Sequence, residues 1–406
     1  MANLSMQNSN TVTYSYKAEA KVVIEEETYE IHDYNIRSVI IDFDYERNNM
    51  PMIFVTASID KTVIDLMVKH QDNSNVIFTF KKSQCNSGSG VFQDYINDKF
   101  VYFIPDDTTK TEEYDYKDNN QGRDDMFKIV TFGLICLDHI NNNKKALNGV
   151  LKGKMSSILY YLTGHLKIVM EPPTENVELK EVYLPPTNSV GKSLKYLNNV
   201  HTIYDTPYRY FIDFDCSYLI SSSGKAIPKK GEKINTIMLT LKNTRDPASK
   251  IQGMSIDEAQ GMYKIDIDGI DCDLSDKYTS DKSYAKVSAA TTSGSLEKTE
   301  LTNSGDLIEK RTRTIRLCND NKGLLTNMQK SLDLNAIQLL VQKTDIDAEP
   351  LTMNKEYIVQ ADDVYHTDKY NGKYIVSRRR DLYIREDYEF VMSTSLVLKK
   401  VPEEKK

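Results

Sequence analysis

Hydrophobic and polar positions alternate over residues 14–104, in short runs rich in β-branched and aromatic side chains. The runs are KVVIEEETYEI, NIRSVIIDFDYE, PMIFVTASID and NVIFTFKK, separated by the turn-forming clusters NNMP, HQDNSN and CNSGSG. Such alternation places one face of each run in a core and the other in water, which is typical of antiparallel strands. Residues 14–144 are therefore predicted to form a first antiparallel β-barrel or sandwich. The polar residues 1–13 are expected to be a flexible N-terminus, and the charged stretch 105–125 a surface excursion.

The pattern changes between residues 145 and 225, where helical and strand-like stretches alternate. The run SSILYYLT predicts a short helix with Ser156 near its N-cap and Gly164 at its C′ position. The strand-like run NVELKEVYL stops at two prolines, and a second helix is expected from Ser189 to about Asn199. The strand-like runs YRYFIDFD and YLISSSGK follow. Residues 145–225 are therefore predicted to form a small α/β module.

Strand-like runs return in the last part of the chain. They are NTIMLTL, MYKIDIDGI, TRTIRLC, AIQLLVQK, KEYIVQ, GKYIVS and EFVMSTSLVLKK. Residues 226–402 are predicted to form a second antiparallel β-barrel domain, followed by a polar tail at 403–406. The Ser/Thr/Lys-rich stretch 275–312 is expected to be an inserted loop or hairpin, or to order only against a partner. The predicted fold class is mainly β (α+β), with two antiparallel β-barrel domains joined by a small α/β module.

Composition and charge exclude several classes of protein. The chain of 406 residues has 40% hydrophobic and 27% charged residues, which excludes a disordered or low-complexity protein. Its five cysteines are scattered without a CxxC pair, which indicates reduced thiols in a cytoplasm-like compartment. Neither a secretory signal nor an apolar run of membrane-spanning length is visible, so no membrane association is expected. The net charge of −7 argues against a dedicated nucleic-acid binder, since affinity for phosphates depends on clustered Lys and Arg.

Two motifs suggest a ligand, but their spacing does not fit one. Gly191-Lys192-Ser193 is similar to the end of a phosphate-binding loop, yet the position of the first required glycine is Pro186, which has no N–H. Asp266–Asp273 concentrates carboxylates, but its glycine is at position four and an EF-hand needs one at position six. A strand that ends in an Asp-Gly turn explains these residues more simply. We therefore expect no cofactor and no metal.

No arrangement of residues typical of a catalytic site stands out. The six histidines include no pair at i, i+3 or i+4, the spacings that place two imidazoles on one helical face. A GxSxG nucleophile motif is also absent from the sequence. The protein is therefore not expected to be an enzyme.

The strongest basic cluster is Arg378-Arg379-Arg380, with Arg385 nearby. A solvated hairpin turn is its simplest explanation. The sharper hypothesis is an inter-subunit contact, because three adjacent guanidinium groups repel one another unless carboxylates lie close to them. These four arginines are therefore the candidate site residues. Direct recognition of DNA is the least favoured interpretation, since no aromatic platform or recognition helix accompanies them.

Three stretches resemble the central baseplate hub proteins of contractile-tailed bacteriophages. IRSVIIDFDYERNNMPMIFVTASID resembles the opening strands of the hub barrel. The stretch from MSSILYYLTGHLKIVM to YRYFIDFDCSYLISSSGK resembles the small module of the hubs. EPLTMNKEYIVQ, YNGKYIVSRR and EFVMSTSLVLKK resemble their closing barrel strands, whereas the Ser/Thr-rich stretch matches no part of the family.

The resemblance implies two tail-tube-like β-barrels joined by smaller modules. It implies a homotrimer in which two similar barrels per subunit form a pseudo-sixfold ring that adapts the tail tube to the central spike. Tail tube proteins, the spike and baseplate wedge proteins would be its partners, and DNA would pass through the channel without specific binding. The protein would belong to the virion tail baseplate and assemble in the cytoplasm of the host bacterium. An acidic surface suits such a channel, because it does not hold phosphates.

Two other functions stay open at this point. A receptor-binding or polysaccharide-processing tail protein would need an exposed aromatic groove, or a carboxylate pair at catalytic separation. A spike carrier of a bacterial contractile injection system would share the fold of the hub.

Overall fold

The computed structural model describes the chain in segments. They are residues 14–46, 49–84, 91–105, 127–144, 147–187, 189–214, 216–228, 230, 334, 351–361 and 371–402, with the backbones of further strands between 237 and 344. The predictions for residues 1–13, for 403–406 and for nearly all of 105–125 lie outside the described residues.

Strands dominate the described chain. The strands before the module are β1 (Tyr14–Ile24), β2 (Glu27–Ile31), β3 (Ile36–Asp44), β4 (Met52–Asp60), β5 (Ser74–Gln84), β6 (Gln93–Phe103) and β7 (Phe127–Cys136). The strands of the module are β8 (Leu147–Lys154), β9 (Ile168–Met170), β10 (Glu178–Thr187), β11 (Tyr208–Ile212) and β12 (Ser217–Ser221). The later strands are β13 (Ile237–Leu241), β14 (Ile265–Ile267), β15 (Ile270–Cys272), β16 (Ser283–Ala289), β17 (Ser293–Leu301), β18 (Leu307–Arg316), β19 (Gln338–Thr344), β20 (Tyr357–Ala361), β21 (Gly372–Glu386) and β22 (Glu389–Lys400).

The described α-helices are short and lie between strands. They are α1 (Lys61–Lys69), α2 (Leu137–Asn143), α3 (Met155–Thr163) and α4 (Val190–His201). None of these described helices combines the length and the apolar character that a membrane span requires.

One sheet of fourteen strands unites the two ends of the chain. Its order is β15-β14-β19-β22-β21-β3-β4-β7-β6-β5-β1-β2, and β20 and β13 extend it from β21. Its neighbours pair antiparallel, except that β13 and β20 are parallel. β21 pairs with β3 in a register that runs from Arg378 opposite Asp44 to Ile384 opposite Ser38. The predicted mainly β, antiparallel fold is therefore confirmed, while the two predicted β-regions share a sheet instead of forming separate ones.

The large sheet curls, so that strands far apart in the strand order share one core. Tyr16 on β1 packs edge-on against Tyr383 on β21, with ring centroids 4.9 Å apart. Phe80 on β5 lies 4.7 Å from the same Tyr383 ring. Hydrogen-bonded closure of a barrel is not detected among the described strands. The predicted domain boundaries stay predictions.

The α/β module packs as a separate layer against the large sheet. β11 and β12 pair antiparallel, and β12 and β9 pair parallel. Because side chains alternate along a strand, Phe211 and Tyr218 join the large core, whereas Tyr210 and Leu219 join the core formed with α3 and α4. Both faces of this small sheet are buried, which explains why its strands are nearly continuous apolar runs. β8 and β10 form a two-stranded antiparallel sheet beside it.

Helix α4 of the module begins where the sequence predicts, whereas helix α3 does not end with the predicted C′ glycine conformation. α4 begins after Ser189, as expected. α3 begins at Met155, so Ser156 lies inside its first turn, and the Ser156 N–H donates to Asn176 Oδ1 at 3.0 Å. Gly164 ends the helix with a φ of −63°, so it does not adopt the left-handed conformation that a C′ glycine provides.

The region of the predicted insertion contains regular structure. β16, β17 and β18 form a three-stranded antiparallel sheet, which agrees with the hairpin alternative for 275–312. β14 and β15 pair with Ile267 opposite Ile270, so only two residues connect them. The predicted Asp-Gly turn itself falls on two residues that lie outside the described chain.

Candidate functional site

The arginine cluster lies within the long strand β21, where alternate side chains point to opposite faces of the sheet. Arg378 and Arg380 are on the solvent side, whereas Arg379 points into the core. The cluster is therefore neither a turn nor a single patch, and its members have different surroundings.

Arg378 is held by a carboxylate of the neighbouring strand. Its Nε donates to Asp42 Oδ1 at 3.1 Å and its Nη2 to Asp42 Oδ2 at 2.6 Å, which is a two-pronged contact between β21 and β3. These bonds raise the pKa of Arg378. The Arg378 side chain is still 42% exposed, so solvent screens the pair.

Arg379 is buried in the core together with Asp381, and the two form an ion pair with Nε and Oδ2 3.1 Å apart. Thr394 Oγ1 donates to the other oxygen of Asp381 at 3.0 Å. The remaining nitrogens of Arg379 donate to the Leu351 carbonyl at 3.1 Å and to the Tyr95 hydroxyl at 3.2 Å. Burial is the largest single effect and lowers the pKa of Arg379. The charge of Asp381, together with smaller contributions from Tyr95, Tyr45 and Asp213, offsets it, so that the net direction is upward. The guanidinium therefore stays charged inside the core.

Arg385 ties the hairpin of β21 and β22 to the turn before β3. Its Nη2 lies 2.8 Å from Asp33 Oδ2, and its Nε donates to the Ile36 carbonyl at 2.9 Å. Its guanidinium also lies 4.2 Å from the centre of the Phe390 ring. Arg385 is thus anchored by its own chain.

Arg380 differs from the other three, because it is exposed and forms no ion pair within the described part of the chain. The prediction that arginines need nearby carboxylates agrees with the partners of Arg378, Arg379 and Arg385, which all belong to the same chain. The inter-subunit role of the four arginines stays a prediction. Within the cluster, Arg380 is the side chain most accessible to a neighbouring subunit.

Sequence reasoning missed a second charged contact, centred on Glu46 just after β3. Glu46 Oε1 lies 2.5 Å from Lys399 Nζ on β22 and 3.3 Å from Arg209 Nη2 on β11. This carboxylate therefore joins the large sheet to the module. Its position after an apolar strand gives no indication of partners so distant in the sequence.

The residues of the phosphate-loop-like motif, Gly191–Ser193, form hydrogen bonds with other residues of the same chain. The Gly191 N–H donates to Asn143 Oδ1 at 3.4 Å, and Ser193 is buried with its hydroxyl 2.9 Å from that of Thr187. Among the described residues, no group of three or more His, Cys, Asp and Glu side chains is placed to hold a metal ion. The side chains of Asp266–Asp273 lie outside the described chain.

The joined sheet, held by the internal contacts of Arg378, Arg379 and Arg385, defines the class of the fold as mainly β. A family profile described as bacteriophage PBS1 gene 109 protein matches residues 6–401. The chain therefore belongs to the bacteriophage PBS1 gene 109 protein family, which agrees with the resemblance of its sequence to bacteriophage proteins. Comparison with curated proteins finds no match.

Comparison with solved structures finds matches that cover nearly the whole chain at low sequence identity. A tail protein from Neisseria meningitidis MC58 is 12% identical, with a TM-score of 0.49, over 96% of this chain and 97% of that one. The 43 kDa tail protein of prophage MuSo2 from Shewanella oneidensis is 8% identical, with a TM-score of 0.46, over 95% and 98%. An E. coli protein described as a component of the type VI secretion system, with structural similarity to T4 bacteriophage tail proteins, is 8% identical, with a TM-score of 0.44, over 95% and 77%.

Proposed function

We propose that the protein is a structural component of a bacteriophage tail, the hub of the baseplate. Three copies would form a pseudo-sixfold ring that adapts the tail tube to the central spike and lines the channel for DNA. The observation that carries the proposal is the match to one bacteriophage family over residues 6–401, which takes in both β-regions and the module. The three stretches that resemble hub proteins come from those same three parts of the chain.

The pairing of β3 with β21 supports a mechanical role. The two β-regions are joined by backbone hydrogen bonds and, on the same two strands, by the contact of Arg378 with Asp42. Arg385 adds contacts to the turn before β3. A subunit whose two ends are joined in this way transmits force through the sheet instead of through a flexible linker, as a ring between tube and spike requires.

Exposed apolar side chains on the module support contacts with neighbours. Val150 and Tyr183 face each other across β8 and β10 on the solvent side, and Tyr160 and Tyr161 are exposed on α3. Exposed apolar groups of this kind often mark interaction sites. In the proposal they meet another subunit, the tail tube, the spike or a wedge protein.

The proposed activity is assembly, without catalytic turnover, in the virion tail after folding in the cytoplasm of the host bacterium. The net charge of −7 suits a channel through which DNA passes without specific binding, since it offers phosphates few counter-charges.

Symmetry tests the proposal most directly. Mass photometry of the purified protein should give three copies, and cryo-electron microscopy of the tail should place one trimeric ring between tube and spike. A monomer, a sixfold ring or a position at the tail fibres would contradict the hub assignment.

A further inference from the structure

The hairpin that joins β21 and β22 ends in an exposed acidic turn. Glu386 pairs with Glu389, and Asp387 and Tyr388 form the turn between them. Tyr388 is 93% exposed, which makes its ring more accessible than any other large hydrophobic side chain in the described part of the chain. We name residues 386–389 the acidic tip.

The tip is held rigidly although it projects into solvent. Arg385 Nη1 donates to the Tyr388 carbonyl at 3.1 Å, and Arg385 Nη2 donates to the Asp33 carbonyl at 2.8 Å. Asp33 Oδ1 also accepts from the Ala18 N–H at 2.8 Å, which fixes the same turn to β1. A contact element that is already ordered loses little entropy when it binds.

An apolar surface continues from the tip along the hairpin. Ile384 and Val391 lie opposite each other on the solvent side, 45% and 38% exposed. Tyr34, in the turn that Arg385 fastens to the hairpin, is also exposed and stacks on His32. Tyrosine is one of the residue types that are enriched among those dominating the binding energy of protein interfaces.

The charge of the tip selects the kind of partner. Glu386, Asp387 and Glu389 are exposed, and none of them forms an ion pair within the described residues. A second copy of this chain carries a net charge of −7, so its field disfavours contact with three further carboxylates. A protein surface rich in Lys and Arg has the complementary charge.

We propose that the acidic tip docks a neighbouring tail protein whose contact surface carries Lys and Arg around an apolar socket for Tyr388. The inference rests on the proposed function only for naming the neighbour as a tail protein. Arg385 is then a positioning residue that holds the tip.

The test measures binding of the full chain to the purified tail tube protein and, separately, to the purified spike protein of the same phage. Tyr388→Ala should weaken binding to one of them by about tenfold or more, as expected for a central tyrosine in an interface. Neutralising the tip with Glu386→Gln, Asp387→Asn and Glu389→Gln should reduce the salt dependence of that binding. Phe127→Ala removes an aromatic side chain that is 56% exposed at the start of β7 and is the matched control.

Different results would contradict the docking role of the acidic tip and the proposed hub function. If both tip variants bind as tightly as the wild type, the docking role is wrong while the hub proposal stands. If Tyr388→Ala changes the number of copies in the assembly, the tip contacts a second copy, which also overturns the proposal. If the wild type binds neither tail protein, the hub function itself fails.

Discussion

At the scale of single residues, two neighbouring arginines of β21 form ion pairs with aspartates, and the two pairs differ mainly in burial. The pair of Arg379 and Asp381 is enclosed by the core, whereas the pair of Arg378 and Asp42 is partly open to water. An ion pair in the core loses the hydration of both charges, so each partner depends on the other to stay there. In the exposed pair, water takes the place of a missing partner.

Replacing Asp381 with Ala is expected to lower the free energy of unfolding by about 3–5 kcal/mol, because Arg379 is left buried without a counter-ion. The matched change Asp42→Ala should cost about 0–1 kcal/mol. Replacing both members of the buried pair, with Arg379→Met and Asp381→Leu, should recover most of the loss. Denaturant-induced unfolding measures all three variants, and equal losses for Asp381→Ala and Asp42→Ala would contradict the argument.

His139 on α2 gives a prediction for pH. The buried imidazole has its Nε2 3.3 Å from the Phe214 carbonyl, and burial lowers the pKa of His139. The unfolded chain therefore binds this proton more readily, so the stability from the neutral imidazole is present above pH ~6.5 and is lost as pH falls below it. The melting temperature of the wild type should fall more steeply on acidification than that of His139→Gln. Parallel curves for the two proteins would show that His139 does not contribute.

At the scale of elements, Gly133 on β7 marks a close approach between strands. It lies opposite Phe103 on β6, and a methyl group at Gly133 would come within 2.3 Å of the Phe103 ring. Gly133→Ala should therefore cost about 1–3 kcal/mol of stability through overpacking. Adding Phe103→Ala should remove the clash, so the effects of the two changes should not be additive.

Gly191→Ala is the matched control for Gly133→Ala. At that position the added methyl group would lie 3.4 Å from the Tyr210 ring, which is ordinary contact, and Ala favours the helical conformation. Its free energy of unfolding should stay within about 0.5 kcal/mol of the wild type or rise. If Gly191→Ala lost as much stability as Gly133→Ala, the clash with the Phe103 ring would not be the cause of the loss at Gly133.

Local sequence signals led to a correct prediction for some elements and were overlooked in others. α4 begins after Ser189, where the sequence predicted it to begin. α1 was missed although Asp60 accepts from the Thr62 N–H at 2.8 Å, a capping signal that the sequence does carry. The run KVVIEEETYEI forms two strands, because Glu25 turns the chain with a φ of 55° where no Gly or Asn marks a turn.

At the scale of the whole molecule, the pairing of β3 with β21 could not be predicted. Backbone pairing carries no sequence code beyond alternation, and both strands alternate in the same way. The charges on these strands were visible, but the partner of Arg378 is 336 residues away in Asp42. Repulsion among the arginines predicts that carboxylates are close to them, without specifying which ones or from which chain. The arginine cluster was therefore visible in the sequence, while its internal pairing required the fold.

The arrangement of the arginines also sharpens the test of assembly. Arg380 is the most exposed of the candidate arginines. Arg380→Glu should therefore weaken the proposed trimer by about tenfold or more, because a carboxylate on a neighbouring subunit would then meet a like charge. The fold of the subunit should be retained. Lys99→Glu makes the same change of charge at an exposed position on β6 and should leave assembly unchanged. Mass photometry over a range of concentrations measures the trimer, and circular dichroism checks the fold.

Arg379 is unsuitable for this test, since reversing a buried charge unfolds the subunit before assembly is measured. A trimer of Arg380→Glu as stable as that of Lys99→Glu would remove the arginine strand from the interface and leave the exposed tyrosines of the module as the surface to examine next.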